Sequence, residues 1–130
     1  MKNGFTLVEL LAVIVLLAVI SAIAIPIVSN SINSAKEKTS EAEAEMILKG
    51  ITDYCNNEDI KVRTGEIKKS DRICSTNLEL FNIKKMVKNI KEGTNITNAS
   101  YSDGKVGSLT VTSNGIEFRL DSNGNMVRTN

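Results

Sequence analysis

Apolar and polar residues are sorted by position along this chain. From Phe5 to Val28 nearly every residue is Leu, Val, Ile or Ala, and Glu9 is the one full charge. A helix of about 24 such residues reaches ~36 Å, enough to cross a bilayer, and its circumference carries no polar face. Beyond Pro26 the chain turns polar, yet strong helix formers persist, above all from Lys36 to Lys49. Ile32, Ala35, Thr39, Ala42 and Met46 recur at three- and four-residue spacing. Ile47, Ile51 and Tyr54 continue a neighbouring stripe. That pattern predicts an amphipathic helix packed on its own domain, with Glu41, Glu43 and Glu45 on the solvated side. Pro26 removes a backbone hydrogen bond at the joint between the two stretches and is expected to kink it.

Further on, residues 76–92 read as a second helix. Thr76 and Glu79 match a capping box, and Leu80, Ile83, Val87 and Ile90 form its apolar stripe. Lys84, Lys85, Lys88 and Lys91 suit the C-terminal end, and Gly93 stops the element. From about 106 to 129 the period changes to two. Leu109 and Val111 alternate with polar residues, as do Ile116, Phe118 and Leu120, and Asn114-Gly115 and Asn123-Gly124 mark two hairpin turns. The expected class is α+β. A long first helix packs its C-terminal half on a small antiparallel sheet of about three or more strands.

Composition changes this picture in two ways. The apolar fraction of 42% is ordinary, but most of it lies at the front, and aromatics are only 4% with no Trp. The part after residue 30 therefore has material for a thin core only. The formal net charge of +1 and the absence of His argue against nucleic-acid binding by charge and remove the usual general base and the commonest metal ligand. No nucleophile with a base, no carboxylate pair in an evident pocket and no Gly-rich phosphate loop is legible. The expectation is a non-enzyme without cofactor or metal.

Glu9 asks for an explanation. As a secretory signal, the segment would be cut after Ala22-Ile23-Ala24, but a charge interrupts its apolar run early. As a plain anchor, it tolerates Glu9 near the interface at up to ~2.5–3.5 kcal/mol, yet has no use for it. In a third reading the chain is cut after Gly4 and Phe5 carries the new amine. Glu9 then lies four residues on, ~6 Å along the axis. Packed helices would pair it with a neighbour's amine and so fix their stagger, because an unpaired charge in that core is costly.

The stretch Lys2-Asn3-Gly4-Phe5-Thr6-Leu7-Val8-Glu9-Leu10-Leu11 resembles the processing site of type IV pilins and pseudopilins. A short basic leader, a Gly-Phe junction and a Glu at the fifth mature position coincide, and Pro26 stands where many pilins kink. The resemblance covers the first ~50 residues, the length of the family's long first helix. It implies a leader at 1–4, cut between Gly4 and Phe5 by a membrane prepilin peptidase that methylates Phe5. It implies Glu9 as the register residue. It divides the chain into an apolar membrane and filament-core segment at 5–28, an amphipathic half-helix at 29–54 and a head at 55–130. The precursor would sit in the bacterial cytoplasmic membrane, meet an assembly platform there, and end in an extracellular filament of its own copies. Adhesion, twitching motility and DNA uptake are all compatible. A pseudopilin of a type II secretion or DNA-uptake machine is the alternative, and a non-polymerising membrane-anchored binding module is a second.

At the cell surface a disulfide between Cys55 and Cys74 can form, worth ~3 kcal/mol in the chain-entropy model. Two free thiols remain the other possibility. The pair departs from the many pilins that bridge cysteines nearer the C-terminus. It would staple the end of the first helix to a turn-rich loop over 55–75 in which Gly65 marks a turn. Asn95-Ile96-Thr97 and Asn98-Ala99-Ser100 match the glycosylation pattern and read as a polar loop.

Overall fold

The computed structural model describes residues 4–129. It is an α+β arrangement with one long N-terminal helix and a four-stranded antiparallel sheet. The elements are α1 (Leu7–Thr64), a 3-10 turn (Lys69–Asp71), α2 (Leu80–Met86), β1 (Asn95–Ser102), β2 (Lys105–Ser113), β3 (Ile116–Leu120) and β4 (Met126–Arg128). The sheet is a meander in the order β1-β2-β3-β4. The chain forms two units that divide between Lys36 and Glu37. Of the expected leader, residues 1–3, Lys2 among them, lie outside the described residues.

Over residues 7–28 of the first unit α1 is apolar all round and buries nothing in its own chain. Its large side chains are half exposed or more, from Leu7 at 83% to Val13 at 51%. Pro26 lies inside the helical run. Ser21 and Ser31 donate their hydroxyls to the Leu17 and Ile27 carbonyls, one turn back, which removes exposed polar groups from an apolar surface.

In the second unit α1 buries the expected stripe of Ile47 and Ile51 but not the neighbouring one that ends at Met46. Ser40, Ala44, Ile47, Ile51, Cys55 and Glu58 are buried, whereas Met46 is 43% exposed; Ile32, in the first unit, is 49% exposed. Two of the six, Ser40 and Glu58, are polar because the buried face meets hydrogen-bonding groups as well as apolar ones. Glu43, expected in solvent, accepts hydrogen bonds from the Lys91 amide at 3.2 Å and the Thr94 hydroxyl at 2.7 Å, and also from the Ser113 hydroxyl. Asn114 donates its side-chain amide to Ser40 Oγ at 3.0 Å. The apolar centre joins Ile47 and Ile51 to Ile83, Leu109, Val111 and Phe118.

α1 also runs past the expected end at Tyr54, to Thr64. Gly65, at φ +81°, is its terminator rather than a loop turn. The Gly65 amide donates to the Val62 carbonyl and the Glu66 amide to the Lys61 carbonyl, the paired bonds of a Schellman cap. The second helix is shorter than the 76–92 expected. α2 begins after Glu79, which makes no side-chain cap bond, so the Thr76–Glu79 capping box does not form. Instead the segment before α2 pairs with β1. Leu78 donates its amide to the Ala99 carbonyl, and Tyr101 donates to Ser75.

β1 itself takes the place of the polar loop expected over 95–100. Register shifts between Thr97 and Tyr101 interrupt its pairing with β2. The buried positions are therefore Ile96, Ala99 and Tyr101, out of strict alternation, which hid the strand from a period-two search. The β2–β3 turn is Asn114-Gly115, with both residues at positive φ as a tight primed turn requires.

Candidate functional site

The N-terminal segment carries the site. A side chain at Gly4 would meet nothing within 4 Å, and Phe5 is 91% exposed, so the Gly4–Phe5 peptide bond is open to approach. The next residues close a reciprocal pair. The Thr6 amide donates to Glu9 Oε2 at 2.9 Å, and the Glu9 amide donates to Thr6 Oγ1 at 3.2 Å. The Leu10 amide then donates to the Thr6 carbonyl. This is a capping box with Thr6 as N-cap, and it satisfies two amides that a helix start leaves free. The Glu9 carboxylate is thus held at the positive end of the helix, one residue from Phe5. The sequence reading gave Glu9 a role but overlooked Thr6. The signal was present, since Thr-x-x-Glu at 6–9 is the same pattern that was sought at 76–79.

The second group of named residues lies in the other unit. Cys55 and Cys74 are joined by a disulfide with Cα atoms 5.7 Å apart. Glu58, one turn after Cys55 on α1 and only 5% exposed, accepts hydrogen bonds from the Ile73 and Cys74 amides at 3.0 Å. The staple is therefore doubled by a carboxylate that binds the backbone beside it. Arg72 balances the charge, with Nη2 paired to Asp59 and Nε 3.6 Å from Glu58. The Tyr101 hydroxyl reaches Asn56 Oδ1 at 2.7 Å and Asp59 Oδ2 at 2.8 Å. Burial, and then the hydrogen bond to the Asp59 carboxylate, push the Tyr101 hydroxyl up to about 12. None of Glu58, Arg72 and Tyr101 was singled out from the sequence, because their meeting depends on where α1 ends.

Among the described residues no group of three His, Cys, Asp or Glu side chains is placed to hold a metal. What the two groups do is mechanical. One starts a helix and positions a carboxylate near the Gly4–Phe5 peptide bond; the other fastens a loop.

Residues 1–25 match the family model of the prokaryotic N-terminal methylation motif. The chain thus carries a type IV prepilin-like leader, and the match spans the junction, the capping box and most of the apolar run. No curated protein and no solved structure matches the chain significantly. The exposed apolar helix together with this motif fits a membrane-anchored precursor of a pilin-like or pseudopilin-like structural protein.

Proposed function

We propose that this chain is a subunit of a type IV pilus-like surface filament. A prepilin peptidase cuts between Gly4 and Phe5 and methylates the Phe5 amine. An assembly platform in the cytoplasmic membrane then moves the apolar part of α1 from lipid into a filament core of like helices. The observation that supports this reading best is the coincidence of two features in one segment. The methylation motif covers residues 1–25, and the helix over residues 7–28, most of it inside that match, presents an apolar surface on every side with none of it buried in its own chain. Such a surface has to be covered, and lipid or identical helices serve equally well. Pro26 eases the bend or local loosening that packing in the core demands. The filament would serve adhesion, motility or DNA uptake.

Glu9 would fix the axial stagger by meeting the Phe5 amine of a neighbouring subunit. Its capping partner Thr6 makes that role separable from helix stability. Glu9→Ala removes both the cap and the carboxylate, whereas Thr6→Ala removes only the cap, worth ~1 kcal/mol. Filaments lost in the first variant and retained in the second are the expected result. Normal assembly by Glu9→Ala would overturn the register role and favour a membrane-anchored binding module.

The test of the whole reading is the intact mass and N-terminal sequence of the mature protein from its native cells. A methylated Phe5 start is expected. A start at Ile25 would mean a removed signal peptide and would end the filament reading. A Phe5 start without long filaments, together with loss of secretion or transformation on deletion, would indicate a pseudopilin instead.

A further inference from the structure

The second unit contains a cleft of about 670 Å³ between the last turns of α1, the segment after Arg72 and the tip of the β1–β2 hairpin. Its volume lies within the ~300–1,000 Å³ of small-molecule sites. We propose that this cleft binds a neutral sugar unit of a glycan.

The lining selects the ligand by its chemistry. Two cations and two anions line the cleft, Arg63 and Arg72 against Asp59 and Asp103. The lining is thus balanced in charge, which disfavours phosphate or a polyanion as the occupant. Arg72 and Asp59 are committed to each other. Arg63 and Asp103 make no ion pair among the described residues, and both are exposed. They offer a forked donor and a forked acceptor. Each matches two neighbouring hydroxyls, which both donate and accept. Thr76 and Ser102 add exposed hydroxyls around them, whereas the Ser75 hydroxyl is held by Asn77. Val62, half-buried in the wall, supplies an apolar contact suited to the C–H face of a sugar ring.

The frame is rigid in advance. Cys74 in the wall is tied to Cys55, and the Glu58 carboxylate holds its amide. Tyr101 is anchored to Asn56 and Asp59. Asp103 and Gly104, both at positive φ, form the tight hairpin turn that places Asp103 at the rim. A preorganised frame lowers the ordering cost that otherwise defeats weak polar ligands. The proposal is independent of filament assembly, because it concerns the single chain.

The full chain in detergent micelles, labelled with ¹⁵N, is titrated with the methyl glycosides of glucose, galactose, mannose and N-acetylglucosamine to about 50 mM, a range that reads millimolar affinity. At least one glycoside is expected to shift the amides of Ser75, Thr76, Ser102 and Asp103 saturably. Arg63→Ala, which removes an exposed side chain without an ion pair, is expected to weaken that binding roughly ten-fold. Lys88→Ala, outside the lining of the cleft, is expected to leave it unchanged. The proposal is overturned if no glycoside moves these amides, if the shifts fall outside the cleft, or if Arg63→Ala binds as before. Stronger saturable shifts with inorganic phosphate would overturn the neutral-sugar assignment in favour of an anion.

Discussion

Between Phe5 and Val28, α1 carries Leu10 at 58% and Ile20 at 59% exposure. Farther along the same helix, Ile47 and Ile51 are at 0%. The apolar stretch is the one left uncovered, and the polar stretch is the one that builds a core. Hydrophobicity measures how much a surface gains from a partner; it does not say whether the partner lies in the same chain. From Ser40 to Glu58 the partner is supplied by residues 78 to 126, which contribute Leu78, Ile83, Leu109, Phe118 and Met126 to the cluster. Up to Lys36 the chain supplies none, so the gain is left for lipid or for other copies.

The largest test of this contrast truncates one large side chain in each part. Ile51→Ala removes buried methylenes from a filled core and is expected to cost ~2–5 kcal/mol, measured by thermal unfolding of the full chain in micelles. Leu16→Ala, at a position 62% exposed, is expected to leave that transition within ~0.5 kcal/mol. Equal losses would mean that the first part contributes to the core after all.

A smaller effect is expected at Gly50. A Cβ there would lie 2.6 Å from Val87 Cγ2, and Val87 is buried at the end of α2. Gly50→Ala gains ~1 kcal/mol of helix propensity but overpacks the contact by ~1–3 kcal/mol. A net loss on the order of 1 kcal/mol is expected in the same assay. Stabilisation would show that α2 can slide away from α1 at little cost. Alanine at an exposed position in the apolar part has no such conflict.

The smallest effect is a pH dependence confined to the second part. The folded Tyr101 hydroxyl is raised to about 12, above the ~10 of an unfolded tyrosine. The unfolded chain therefore releases this proton first as the pH rises. The stabilisation is complete below pH 10 and is lost between about pH 10 and 12, on the order of 1 kcal/mol by pH 11. Subtracting the profile of Tyr101→Phe isolates this contribution from that of the lysines. An unchanged slope in the variant would place Tyr101 outside the network with Asp59.

The sequence revealed the long helix, the two Asn-Gly hairpins and the prepilin-like junction, because each rests on local chemistry within a few residues. It misplaced what depends on distant partners. Apolar spacing locates Ile47 and Ile51 on the buried face of α1 but not Ser40 and Glu58, which are buried because hydrogen-bond partners arrive from Asn114, Ile73 and Cys74. β1 was hidden by its irregular register. The two Thr-x-x-Glu patterns make the same point. At 6–9 nothing competes and the box closes. At 76–79 the segment is drawn into pairing with β1 and the box stays open. Of the candidate site, Glu9 was legible as a charge in the wrong place, and Thr6 required attention to its backbone neighbour.

The pairing of residues 75–78 with β1 has a consequence for the edges of the sheet. A sheet of four strands has two free flanks, and each is a template on which another molecule's strand can grow. Here one flank is sealed by Leu78 and Ser75 against Ala99 and Tyr101. The other is β4, only three residues long, with Arg128 held by Glu37 at 2.9 Å. Little template remains on either side. The backbone on which a strand of another copy could grow is thereby shortened at both edges of the sheet.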